Sequence, residues 1–207
     1  MTEMAPNRRA VALRGRRLEY FTIAWNSLEG LIAVAAGVTA GSISLVGFGV
    51  DSFIEVTSGS ALLWRMSMDA DVESRERVER LTLRIVGCCF LALAGYVAWE
   101  AVGDLASRRA PAHSPVGVAL ALVSLAVMPV LARAKRRVGQ TLGSGAMQAD
   151  ATQTQLCAYL SAILLGGLLL NVFWDLWWAD PLAGLLMVPI IGREGIGALR
   201  GEGCECD

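Results

Sequence analysis

The chain has 207 residues, 55% of them hydrophobic, and a mean hydropathy of +0.51, well above the apolar share of an ordinary soluble domain. Its net charge of -1 excludes the global basic field of a nucleic-acid binder and leaves no acidic solvating block. The composition sets an integral membrane protein as the expectation.

Residues 1–19 read as a basic cytoplasmic leader carrying Arg8, Arg9, Arg14, Arg16 and Arg17. Apolar runs long enough to cross a hydrocarbon core of about 30 Å then recur at 20–40, 43–64, 83–103, 115–132, 147–170 and 176–192. They predict an all-α bundle of six transmembrane helices over residues 20–200, followed by a short acidic, cysteine-bearing tail at 201–207. The first run follows a basic region and ends in "AVAAGVTAGS", as a secretory signal would. It is longer than a signal's apolar region and carries Asn26 and Glu29, so a retained helix is expected.

Residues 66–82 form a charged connection whose acid and base pairs at helical spacing suit a solvated extension. Glu100 and Asp104, four apart near the end of the third run, read as solvated side chains reaching the interface. Pro129 and Pro189 fall inside the fourth and sixth helices, where bundle packing can satisfy the freed carbonyls. Trp99, Trp174, Trp177 and Trp178 gather at one end, as in an interfacial belt.

Alternate connecting segments hold 16 Lys and Arg against 2 in the others. By the positive-inside rule this places both termini in the cytoplasm, and a bacterial inner membrane is the expected location. Five cysteines stand at Cys88, Cys89, Cys157, Cys204 and Cys206, in no pattern that suggests a disulfide framework. Cys88 and Cys89 are expected to pack as small apolar fillers, and the tail pair Cys204 and Cys206 could capture metal through thiolates.

A single histidine, His113, excludes HExxH chemistry, and no GxSxG, P-loop or dinucleotide fingerprint is present, so an enzyme is not expected. An intramembrane aspartyl pair, Asp51 with Asp150, would leave the placement of Glu55 and Cys157 unexplained.

The second and fifth helices echo each other. "GSISLVGFGVDSFIE" begins at Gly41 and "GSGAMQADATQTQLC" at Gly143, so Asp51 aligns with Gln153 and Glu55 with Cys157. Each pair is spaced i, i+4, which places both members on one side of a helix. Asp150 and Thr154 extend the stripe on the fifth helix, and both stripes fall near mid-membrane. A carboxylate at that depth costs at least a few kcal/mol unless paired, hydrated or metal-bound. No Lys or Arg falls within the apolar core of a run, so no internal ion pair is expected, and a visiting cation is the natural partner. Carboxylate oxygens with a thiolate suit a divalent transition metal, and four ligands from two facing helices suit tetrahedral zinc.

On these residues, together with "ADP" at 179–181 opening the sixth helix, the chain resembles the cation diffusion facilitator family over about residues 20–200. The resemblance implies a transporter of zinc or related divalent metals, commonly exchanged for protons, in a form lacking the family's C-terminal cytoplasmic domain. It makes Asp51 and Glu55 metal ligands and puts Cys157 at a ligand position of the fifth helix, while Asp150 is expected as a further ligand from its place on the same stripe. Gln153 and Cys157 depart from the family's acidic or imidazole pair. Glu29, Asn26, Gln153 and Thr154 are supporting or proton-relay candidates.

The expected partners are the metal ion, protons and lipid, with any homodimer pairing through helices at Gly87, Ala94 and Gly95, and no nucleic acid. The rival reading is a non-transporting membrane partner that uses its acidic helix face for packing.

Overall fold

A chain in hydrocarbon must satisfy its backbone polar groups internally, and long apolar segments do so as helices. The structure, a computed structural model, describes residues 4–67, 72–109 and 111–200. Among them are α1 (Met4–Ala40), α2 (Ile43–Ser67), α3 (Val72–Ser107), α4 (Pro115–Leu142), α5 (Gly145–Trp174) and α6 (Ala179–Arg200), and no strand. The expected six helices are present, and Pro129 and Pro189 lie within continuous α4 and α6. Cys204 and Cys206 lie outside the described residues.

The helices outrun the apolar stretches. α1 takes in most of the segment read as a leader, and α4 continues past residue 132 to Leu142. Arg, Lys, Gln and Glu are good helix formers, so the hydrogen-bond ladder persists where hydropathy has already fallen.

Five of the helices, all but α2, are long and apolar enough to cross a membrane. α2 has sufficient length, 25 residues, but its acids and serines dilute its apolar character. It occupies the centre, packed by α1, α3, α5 and α6, so protein rather than lipid surrounds Asp51, Ser52 and Glu55. The apolar core gathers around it through Leu45, Phe48, Val97, Met128, Leu164 and Met187.

Two tight hairpins, α1/α2 and α4/α5, are built alike, which explains the sequence echo. Gly41 and Gly143 adopt left-handed conformations with φ of 66° and 64°. In each link the following serine N–H donates back to a glycine carbonyl at 2.9 Å, Ser42 to Gly37 and Ser144 to Gly139. This is a Schellman ending. The same serines then cap the next helix: Ser42 Oγ accepts from Leu45 N–H at 3.2 Å and Ser144 Oγ from Met147 N–H at 3.3 Å.

The hairpins point in opposite directions. Ala112 N–H donates to Ala40 O at 2.7 Å, which sets the start of α4 beside the end of α1. Asp180 in the first turn of α6 accepts from Ser42 Oγ at 2.6 Å and from Ser44 Oγ, tying the starts of α2 and α6 together at that same end. The α4/α5 turn therefore lies at the other end.

α3 and α6 form the third close pair. A Cβ on Gly87 would lie 2.9 Å from Gly195 O, and one on Gly195 3.1 Å from Gly87 O. Of the three residues expected at a dimer contact, Gly87 is therefore engaged by α6 and Ala94 is buried, while Gly95 faces open space. Two further expectations are corrected. Asp104 is buried rather than solvated, because Arg109 folds back over it, Nη1 to Oδ1 at 3.6 Å, as the chain leaves α3. Cys88 and Cys89 lie on the outer surface of α3 instead of filling the interior. Trp99, Trp174 and Trp178 are exposed at one end of the bundle, as a belt requires.

No atom outside Gly41's immediate surroundings would touch a Cβ placed there, so Gly41→Ala isolates the conformational cost of its positive φ. The substitution is expected to destabilise by about 1–2 kcal/mol and Gly41→Asn by less, read as a shift in thermal unfolding of detergent-purified protein.

Candidate functional site

The inward face of α1 is polar along most of its length. Gly15, Glu19, Thr22, Asn26, Glu29 and Ala33, at spacings of three and four, are all buried. α2 turns Asp51, Ser52 and Glu55 towards the interior, and α5 contributes Asp150, Thr154, Cys157 and Ser161. A polar seam thus runs between α1, α2 and α5.

α4 adds Lys135, which is 0% exposed. The expectation that no basic side chain reaches the interior is overturned here. The apolar run stops at 132, but the helix continues, and Lys135 falls on the buried stripe of Ser124, Met128, Leu131, Val138 and Gly139. Arg133, Arg136 and Arg137 around it are exposed.

Lys135 Nζ donates to Asp150 Oδ2, to Glu19 Oε2 at 3.2 Å and to Thr154 Oγ1 at 3.3 Å. Thr154 Oγ1 lies 2.7 Å from Glu55 Oε1 and can donate to it. An ammonium donates only, so a threonine accepting from it keeps its single proton for the carboxylate. The chain of contacts therefore runs from α4 through α5 to α2.

Asp150, expected as a metal ligand, is held by Lys135 as a counter-ion. Asp51, Glu55 and Gln153 instead line a small cavity between α2, α3, α5 and α6, closed by Phe90, Leu156, Leu160, Ile190 and Ile191. The cavity has room for about one water-sized ligand. Glu194 of α6, which the sequence analysis did not single out, also lines it.

Cys157 is 1% exposed beside Glu55, but it does not line this cavity. Glu29 accepts from Ser52 Oγ at 3.2 Å, which joins α1 to α2, and Asn26 stands next to Glu55.

Eight buried side-chain atoms among the described residues lack a hydrogen-bond partner, and all belong to this seam: Glu19 Oε1, Trp25 Nε1, both ends of the Asn26 amide, Glu29 Oε1, Glu55 Oε2, Asp150 Oδ1 and Gln153 Nε2. Native interiors pair nearly all such atoms, and here Trp25 stands beside Glu29 and Asn26 beside Glu55. Among the described residues, no three His, Cys, Asp or Glu side chains are close enough together to grip an ion in this conformation. Ligands from neighbouring helices would have to draw in around one.

Apolar helices wrapped around buried carboxylates define a multi-pass membrane domain equipped to handle charge. Residues 20–200 match the cation efflux transmembrane domain, and the chain belongs to that family. It is 27% identical over 180 residues to transmembrane protein 163 of Xenopus laevis, covering 86% of this chain and 64% of that protein. It is 26% identical over 178 residues to an uncharacterized transporter of Methanocaldococcus jannaschii, covering 83% of this chain and 62% of that one. The chain thus spans a little under two thirds of the length of these curated relatives.

Removing one partner of a buried ion pair leaves an uncompensated charge. Lys135→Met is therefore expected to destabilise the protein by about 3–5 kcal/mol. Adding Asp150→Asn should recover a substantial part of the loss, measured by thermal or denaturant unfolding in one detergent.

Proposed function

We propose that this chain exports a divalent transition metal cation, zinc first among them, from the cytoplasm by alternating access, with protons moving the other way. The observation that carries the reading is the pair Asp51 and Glu55. They lie one turn apart on the central helix, 6% and 2% exposed, at a cavity between helices, and neither forms an ion pair among the described residues. Two such acids inside a membrane domain need compensation from a cation, and family membership makes a transported one the natural candidate.

In this reading Asp51 and Glu55 are the primary ligands and Cys157 is a soft donor beside them. Gln153 offers a neutral amide oxygen, and Glu29 and Asn26 support Glu55 from α1. Asp150 acts through Lys135 as part of the frame. Metal binds to deprotonated carboxylates, so protons arriving from the far side would favour its release. Rocking of the helix groups around the site would expose it to each side in turn. The charge asymmetry supports cytoplasmic termini in a bacterial inner membrane.

Purified protein in liposomes, with a zinc-sensitive dye to follow flux, tests the reading. Wild-type protein is expected to move zinc. Asp51→Asn and Glu55→Gln should each lower the flux at least about tenfold, as expected for the loss of a charged ligand, without loss of fold. Absence of flux from folded wild-type protein would overturn transport and favour the packing role, to which the paired Lys135 cluster lends some support.

Collapsing a proton gradient with an ionophore is expected to slow zinc movement. Uptake that ignores the gradient would exclude exchange.

Replacing Cys157 separates soft from hard coordination. Cys157→Ala is expected to weaken zinc binding more than manganese binding, and Cys157→Asp to shift preference towards manganese, in titrations of the purified protein.

A further inference from the structure

The cavity is lined by four polar side chains. Asp51 and Glu55 come from α2, Gln153 from α5 and Glu194 from α6, and the other lining residues are apolar. Glu194 follows the apolar stretch of α6 directly and is flanked by Arg193, so in sequence it reads as part of a charged helix end. The helix turns it inward. Met187, Ile190 and Ile191, seven, four and three residues earlier, share its face, and Met187 and Ile191 are buried, whereas Arg193 is exposed. Glu194 is also among the charged neighbours of Asp51.

A cluster of acids does not by itself make a site, but a second feature here points to a ligand. Glu55, which lines the cavity, is 2% exposed and its Oε2 has no hydrogen-bond partner. The three carboxylates line a space sized for one small guest, and since no three of the described acids are close enough to grip an ion in this conformation, α6 and α2 would have to draw together around it. Lys135 is not that guest, because its ammonium is taken up by Asp150, Glu19 and Thr154.

Exposure also falls inward along the three acids. Glu194 is half-buried, Asp51 is 6% exposed and Glu55 is 2% exposed. Glu194 thus stands nearest the surface.

We infer that Glu194 is a third carboxylate ligand of the metal site, placed at its mouth on α6, where it meets the incoming divalent ion and hands it to Asp51 and Glu55. The inference rests on the transport reading and adds to it. It makes the site a product of three helices, so the movement of α6 against α2 changes the coordination of the ion. It also brings a third negative charge to a site whose α5 wall offers the neutral amide of Gln153.

Zinc titration of the purified full chain in detergent, followed by calorimetry, tests it. Glu194→Gln is expected to weaken zinc affinity at least tenfold while leaving the unfolding temperature in place. Glu194→Asp should fall between Glu194→Gln and wild type. Glu194→Gln combined with Gln153→Glu should regain most of the affinity, because the charge returns to the same cavity from α5.

If Asp51→Asn abolishes binding while Glu194→Gln binds as wild type does, the inference is overturned and the transport reading stands. If Asp51→Asn, Glu55→Gln and Glu194→Gln all leave binding unchanged, both fall. Should Glu194→Gln fail to fold, the Glu194→Asp titration decides: a weakened affinity supports the inference and an unchanged one overturns it.

Discussion

The ammonium of Lys135 is the constraint on which the polar interior depends. It lies on a helix with enough apolar surface to span a bilayer, yet it is fully buried against carboxylates from α1 and α5. Desolvating three charges is expensive, and only their mutual attraction and additional hydrogen bonds offset that. The cluster therefore holds α1, α4 and α5 in one register, because moving any of them strands a charge in a medium that solvates it poorly.

Five of the acids consequently fall into two groups. Glu19 and Asp150 share the single ammonium of Lys135 and act as frame. Asp51, Glu55 and Glu194 form no close ion pair among the described residues and line a space. Thr154 joins the groups, since it bridges the lysine and Glu55. On the proposed reading, the site keeps its shape through the paired group and its capacity for a cation through the other.

Much of this was legible beforehand. The six helices, the i, i+4 acids on α2 and the kinship of the two Gly-Ser starts follow from hydropathy, spacing and local chemistry, and the structure bears out the architecture. The role of Asp150 was not readable from its own helix, because its partner lies on α4, past the point where apolar character ends. Yet a signal existed: Lys135 continues the three-and-four spacing of Ser124, Met128 and Leu131, whereas its basic neighbours do not. Glu19 was hidden in the same way at the near end of α1, and Glu194 at the far end of α6. Hydropathy windows locate where lipid is favourable, but the direction of a side chain is set by helical phase, which continues unchanged into charged segments. The central place of α2 could not be read from sequence either, since it follows from which helices pack together.

The two Schellman hairpins have one more consequence. They share a backbone design from Gly37 to Leu45 and from Gly139 to Met147, but the bundle mounts one upside down relative to the other. The same local ending thus starts α2 from one end of the bundle and α5 from the other, so the buried stripes of Asp51 and Glu55 and of Asp150, Thr154 and Cys157 approach each other from opposite sides.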